Sequence, residues 1–309
     1  MKHAHPTAAI VAAADHIDKK KPIFRSMKKP LNCNIFKRSF LVILLIAPLL
    51  SMTRQQEIKW VAIGDSITYL NDHLNETRNR VTRGYLTRVT EQLPYIHYVN
   101  QGHNGWTTVG IAKEIDKIGL VKADLYSVFL GTNDWWSALP AGTINDYEKD
   151  TGIATTAGAY RKIINKLRSL NDKARIVLIT PMQRGDFVYI GNAKNNAYGS
   201  YQDKNKQSLE DFVKVIAAIG KLEHFPVVDL YHQKSLSVKK AVKFKRLKDP
   251  VTGAYKNYKY PRWVGVPFQP SDEYPYPPAA VDMTYDGLHP SDKGNAVIAK
   301  QIVKVFRQN

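Results

Sequence analysis

Cysteine is nearly absent from this 309-residue chain, which carries only Cys33. A single cysteine excludes an intrachain disulfide framework and a cysteine-based metal site, and argues against thiol catalysis. Acidic residues are scarce too: 27 Asp and Glu face 45 Lys and Arg, leaving a net charge of +18. Ten basic and three acidic residues precede Lys59, and the rest of the excess is scattered rather than run together. Scattered lysines read first as a solvated surface and second as an attraction for an acidic polymer or a membrane surface. Zinc-finger spacing, an RNA-reading motif and a basic helix are all missing, so no nucleic-acid partner is expected. His73 and His103 have no companions at ligand spacing, so neither a metal nor any other cofactor is expected. No repeat or low-complexity tract is evident, and nothing in the sequence speaks to oligomeric state. With 44% hydrophobic and 23% charged residues the chain is not disordered, and its length suits one globular domain with an N-terminal addition.

That addition has a recognisable shape. Lys28, Lys29, Lys37 and Arg38 precede an apolar run from Phe40 to Leu50, a basic region followed by a hydrophobic region of signal-peptide length. The run is short for a bilayer span. Residues 27–53 are therefore expected to be a signal peptide or an N-terminal membrane anchor, with residues 1–26 an unstructured extension ahead of it. Leu49-Leu50-Ser51 lacks the small outer residue of a good cleavage site, which keeps the anchor open. On either reading the protein is exported, to the periplasm or the extracellular space. Cys33 lies upstream of the run, the wrong side for a lipid-attached cysteine, and is expected to leave with the leader.

Across residues 54–309, short β-branched runs alternate with amphipathic stretches, the pattern of a parallel sheet flanked by helices. Strands are expected at 60–63, 97–99, 125–130, 176–180 and 227–230. Tyr160, Ile163, Ile164 and Leu167 share one helical face, as do Leu209, Phe212, Val213 and Ile216, with Gly220 offering a C-terminal stop. Ser291 is a candidate N-cap for a last helix in which Ile298, Ile302 and Val305 recur at helical spacing. The fold class is thus α/β, a three-layer α/β/α sandwich with a central parallel sheet of about five strands. Residues 231–285, rich in Tyr, Pro and Lys with little periodicity, read as a long surface excursion, and loops of that length are uncommon unless functional.

In an open parallel sheet, ligands bind beyond the carboxyl ends of the strands. Four such places carry reactive or permissive residues: Gly64-Asp65-Ser66; Asn100-Gln-Gly102-His-Asn104-Gly105; Gly131-Thr-Asn133-Asp134; and Asp286-Gly-Leu-His289-Pro290. Gly-Asp-Ser alone is common by chance. All four together, in order and at strand ends, are specific, and at this point the chain resembles the SGNH (GDSL-type) hydrolase family over most of Lys59 to Asn309. The resemblance implies a flavodoxin-like fold and a serine hydrolase acting through an acyl-enzyme.

The chemistry of acyl transfer agrees with those residue types. A serine hydroxyl needs a neighbouring base, and His289 can take the Ser66 proton and later return it to the leaving alcohol. Asp286, three residues earlier, can hold the other ring nitrogen and fix the tautomer. Ser66 does not match the Gly-x-Ser-x-Gly elbow of α/β-hydrolases. By the resemblance, the oxyanion is held by the backbone N–H of Ser66, the backbone N–H of Gly102 and the side-chain amide of Asn133. Asp65 is expected to brace its loop, and Asn104 to buttress the loop of Gly102. His73 and His103 are expected to be loop or surface residues.

Substrate signals are weaker. Trp135 and Trp136 follow Asn133, so at least one should flank the pocket. Arg184 follows the fourth strand and could hold an anionic substrate group. Tyr255, Tyr258, Tyr260, Trp263, Tyr274 and Tyr276 of the excursion could face sugar rings or simply pack it onto the domain. No apolar lid segment is evident. These features point to a carbohydrate esterase that releases acetyl or similar groups from a glycan, with a lipase or an O-acyltransferase of the same family as rivals. A non-catalytic glycan-binding protein is the reading from another class.

Overall fold

The computed structural model describes residues 56–308, so the expected leader or anchor and Cys33 lie outside the described residues. Largely apolar runs form the strands β1 (Ile58–Gly64), β3 (Leu125–Phe129) and β4 (Arg175–Ile179), while the edge strand β2 (Ile96–Gly102) has the mixed sequence Ile-His-Tyr-Val-Asn-Gln-Gly and is only partly buried. After the small antiparallel pair β5 (Phe187–Val188) and β6 (Asn196–Ala197) comes a fifth sheet strand, β7 (Val227–Val228). The sheet runs in the order β2-β1-β3-β4-β7 with every neighbour parallel. Near-continuous apolar runs are what a sheet covered on both faces requires.

Alternation along each strand divides the core in two. Val61, Ile63, Val128 and Leu178 pack on one face against α3 (Thr108–Glu114), α5 (Thr156–Leu170) and α6 (Leu209–Glu223). Trp60, Ala62, Phe129 and Ile179 pack on the other against α2 (Tyr85–Gln92) and α7 (Asp292–Phe306). Two short helices, α1 (Ser66–Tyr69) and α4 (Thr132–Trp136), open directly off β1 and β3. The expected three-layer sandwich is therefore present. Both expected helical faces are buried, and the Ser291 side chain caps α7 by accepting from the N–H of Gly294.

Two expectations need correction. Gly220 does not stop α6, which continues to Glu223 and ends at His224 in the left-handed conformation. Gly220 is instead a packing glycine: a Cβ there would overlap the Val227 side chain, so its bare surface lets the helix lie on β7. The segment 231–285 is also more than a loop over the surface. It contains the antiparallel hairpin of β8 (Lys245–Lys248) and β9 (Tyr255–Tyr258), and it builds a satellite core from Val188, Val242, Leu247, Trp263 and Tyr276. Trp263 and Tyr276 are fully buried there, so these aromatics are packing residues rather than open faces for sugar.

The chain moves outward from β1 to β2, then returns across β1 to β3. This reversal leaves a crevice beyond the carboxyl ends of β1 and β3, where ligands sit in open α/β sheets of this strand order.

Candidate active site

Ser66 is the first residue of α1, immediately after β1. The preceding Asp65 is the N-cap, and its Oδ1 accepts from the N–H of Ile67 at 3.0 Å. That cap leaves the N–H of Ser66 as one of the first-turn donors a helix does not satisfy internally. Asp65 therefore braces the loop, as expected, but it is also buried. Burial pushes its carboxyl up to about 6, against the opposing pull of the Ile67 N–H and the His289 ring.

Asp286 and His289 come from the turn that leads into α7. His289 Nε2 lies 2.9 Å from Ser66 Oγ, and its Nδ1 lies 2.7 Å from Asp286 Oδ2. The second carboxylate oxygen of Asp286 accepts from the backbone N–H groups of Leu288, at 3.0 Å, and His289, at 2.7 Å. One turn thus supplies base and orienting carboxylate, with Asp286 fully buried and His289 7% exposed. The turn depends on Gly287, whose φ is +92° and where a Cβ would overlap the carbonyl of Asp186. Hydrogen bonds from Gly185 N–H to Gly287 O and from Val188 N–H to Asp286 O fasten the turn to the segment after β4. Phe187 meets the His289 ring edge-on and Tyr285 stacks on it, restricting its rotation.

Asn133 follows β3. Its Nδ2 donates to the Trp106 carbonyl at 2.9 Å, which orients the amide and leaves a second hydrogen on the same nitrogen. The buried Asp134 carboxylate accepts from Thr108 N–H at 2.8 Å, Thr108 Oγ1 at 3.0 Å and Thr156 Oγ1 at 3.2 Å, tying this block to the starts of α3 and α5. Burial raises the Asp134 pKa while these donors lower it.

Of the three expected oxyanion donors, Gly102 is the one whose N–H is already occupied. Its N–H donates to Asn100 Oδ1 at 2.9 Å, and a Cβ there would overlap the backbone of Tyr69, so its bareness serves packing of β2 on α1. Asn100, not Asn104, buttresses this stretch, its Nδ2 also reaching Thr68 O at 3.0 Å. Three residues on, Gly105 is exposed at φ +76°, and its N–H has no partner among the described residues. Gly105 was legible as half of an Asn-Gly turn signal, but nothing in the sequence says which of the two glycines presents a free N–H.

Ser66, Gly105, Asn133, Trp136, Arg184 and His289 line one cavity of about 200 Å³, with Asn104, Phe187 and Leu288 also on its wall. Trp135 does not reach it. α4 turns its indole inward, where it is fully buried and donates to the Gln207 carbonyl at 3.1 Å, while Trp136 on the next position faces the cavity. Phe187 had no sequence signal, because its place depends on the path of the chain after β4. His103 stacks on Trp106 and burial lowers its pKa, and His73 stacks on Tyr69. Among the described residues, no group of three or more His, Cys, Asp and Glu side chains is placed to hold a metal. The arrangement can activate a hydroxyl, donate hydrogen bonds to an oxyanion and admit a small ester.

Comparison with known proteins agrees with this geometry. Residues 62–252 match the model of the GDSL-like lipase/acylhydrolase family, a stretch that contains Ser66, Gly102, Gly105 and Asn133 and ends before Asp286 and His289. A possible lipase from Chitinophaga pinensis DSM 2588 is 64% identical, covers 82% of this chain and 98% of its own, and superposes with a TM-score of 0.81. A protein from Lactobacillus plantarum is 18% identical over 81% of this chain and 97% of its own, with a TM-score of 0.56, and shares the fold. No curated protein matches the chain.

Proposed function

The chain belongs to the GDSL-like lipase/acylhydrolase family and is an esterase, and from that premise we propose that it removes a small acyl group, acetyl above all, from a carbohydrate. Ser66 is the nucleophile, His289 the general base and then acid, and Asp286 the residue that orients His289. The 2.9 Å contact gives the hydroxyl proton a destination as Oγ closes on the ester carbonyl. His289 hands that proton to the departing sugar oxygen, leaving an acyl-enzyme, and then activates a water that repeats the sequence in reverse. Asp286 holds the tautomer whose Nε2 can accept and offsets the imidazolium charge as it forms.

The oxyanion takes its hydrogen bonds from the N–H of Ser66, the free Nδ2 hydrogen of Asn133 and, in place of Gly102, the N–H of Gly105. Such donors act because they are already aimed where charge develops and need no reorganisation.

The observation that carries the choice of a short acyl group is the cavity itself. Its volume of about 200 Å³ is below the roughly 300–1,000 Å³ of ordinary ligand pockets, and its wall mixes amides, a guanidinium and an indole rather than continuous aliphatic surface. Trp136 offers a flat apolar wall beside polar groups, which suits a sugar ring. Export, expected from residues 27–53, would bring such an enzyme to a polymeric glycan. Two assays on the purified protein test the reading: release of acetate from acetylated glycans, and hydrolysis of 4-nitrophenyl esters of increasing chain length. Activity that falls steeply beyond butyryl is expected; a preference for long chains would overturn the carbohydrate esterase in favour of a lipase.

A further inference from the structure

Arg184 is 1% exposed, yet its side chain contributes to the wall of the cavity that holds Ser66 and His289. No carboxylate among the described residues lies within ion-pair distance of it. The two acids nearest in influence are both committed: Asp286 to His289 at 2.7 Å, and Asp186 to Lys245 at 2.6 Å. Its side-chain hydrogen bonds go only to backbone carbonyls, from Nε to Gly185 at 3.5 Å and from Nη2 to Tyr198 at 3.2 Å. Aromatic rings take the rest of its surroundings, with Trp135 and Trp136 at 5.6 Å and Phe187 at 5.9 Å. Burial pushes its guanidinium down to about 10, still far enough above neutrality for it to carry its charge.

A guanidinium withdrawn from water and left without an anion is costly, and proteins keep such a group charged when something else supplies the anion. The cavity does not: no aspartate or glutamate is among the residues that line it. A second cation, outside the cavity lining, stacks on one of the same rings. Lys204 places Nζ 4.1 Å from the centroid of the Trp136 ring and 5.5 Å from that of Tyr198, and it too pairs with no carboxylate among the described residues. Planar, forked guanidinium donors match a carboxylate in two places at once, which a lysine in the same position would not.

We infer that the substrate carries a carboxylate close to its scissile ester, and that Arg184 is the counter-charge that selects it. This rests on the esterase reading of the same pocket and narrows it to acidic substrates. The carboxylate can belong to either half of the ester: a uronic acid on the alcohol side, or a dicarboxylic half-ester on the acyl side. Arg184 acts here through binding, so its signature is in KM and in the ratio of charged to neutral substrate.

The test compares two matched pairs on the whole protein: methyl O-acetyl-galacturonide against methyl O-acetyl-galactoside, and 4-nitrophenyl hydrogen glutarate against 4-nitrophenyl butyrate. A charge-assisted hydrogen bond of this kind corresponds to roughly 10- to 100-fold in kcat/KM. The wild type is expected to favour the carboxylate in one pair by that factor, through a lower KM, and the pair that responds identifies the side. In Arg184→Gln the ratio should fall to about one, and in Arg184→Lys it should be partly retained. Because the readout is a ratio within each protein, a variant that folds less well still reports, and the wild-type pairs need no variant at all. No preference in either pair, or a preference that survives Arg184→Gln, would overturn the inference. Failure of the esterase reading itself would look different: neither neutral ester would depend on Ser66.

Discussion

Replacing Asp65 by asparagine should make this enzyme more stable and slower. Asp65 is 2% exposed, and burial holds its carboxyl at about 6 instead of the usual 3.8. The folded protein therefore binds this proton more tightly than the unfolded chain, and stability contributed by the protonated form is complete below pH 4 and is lost as pH rises through 6. A shift of about two units corresponds to about 3 kcal/mol, or roughly 6–12 °C in Tm for a domain of this size. Asparagine keeps an acceptor for the Ile67 N–H and has no proton to lose. The stability gap between Asp65→Asn and wild type should thus open between pH 4 and pH 6.5 and stay constant above it. Thermal unfolding at half-unit pH intervals measures this directly. A gap that does not change with pH would refute the assignment of a raised pKa, whatever its size. The charge lost also attracts the protonated His289 ring, so turnover at pH 7 should fall as stability rises.

Asn133→Ala removes one oxyanion donor and should lower kcat by about 10²–10³ with little change in KM, read by steady-state hydrolysis of 4-nitrophenyl acetate. Lys245→Met leaves the Asp186 carboxylate, its partner at 2.6 Å, without its counter-charge in a mostly buried site, and should cost on the order of 3 kcal/mol. Because Asp186 also accepts from Gly199 N–H and Tyr201 OH, and its carbonyl accepts from Tyr276 OH, that loss should loosen the segment fastened to Gly287. Urea unfolding measures the first effect, and a fall in kcat that exceeds any rise in KM measures the second.

The centre of the sheet was legible because β1, β3 and β4 are covered on both faces and so read as short apolar runs bounded by polar turns. The helices α5 and α6 were legible because their buried residues recur at three and four. What escaped the sequence depends on contacts between distant residues. Gly220 serves packing against Val227 while α6 runs on to a left-handed His224, and the order within 231–285 depends on aromatics brought together by the fold. Ser66, Asp286, His289 and Asn133 could be placed because each follows a strand or precedes a helix in a fixed local pattern. Gly102 and Gly105 could not be told apart, since the distinction is whether Asn100 already occupies the N–H. Trp135 and Trp136 are neighbours on one short helix, and a rotation of one residue sends the first into the core and the second to the cavity wall. The isolation of Arg184 is a statement about absent partners, which only the folded arrangement reveals.

The central claim is that Ser66 Oγ forms the covalent intermediate. The most direct measurement is intact-protein and peptide mass spectrometry after reaction with a fluorophosphonate, on wild type and Ser66→Ala in parallel with acetyl-ester hydrolysis. One phosphonyl group on the peptide containing Ser66, absent from Ser66→Ala together with its activity, is the expected result. Labelling of another residue, or wild-type hydrolysis by Ser66→Ala, would contradict the account.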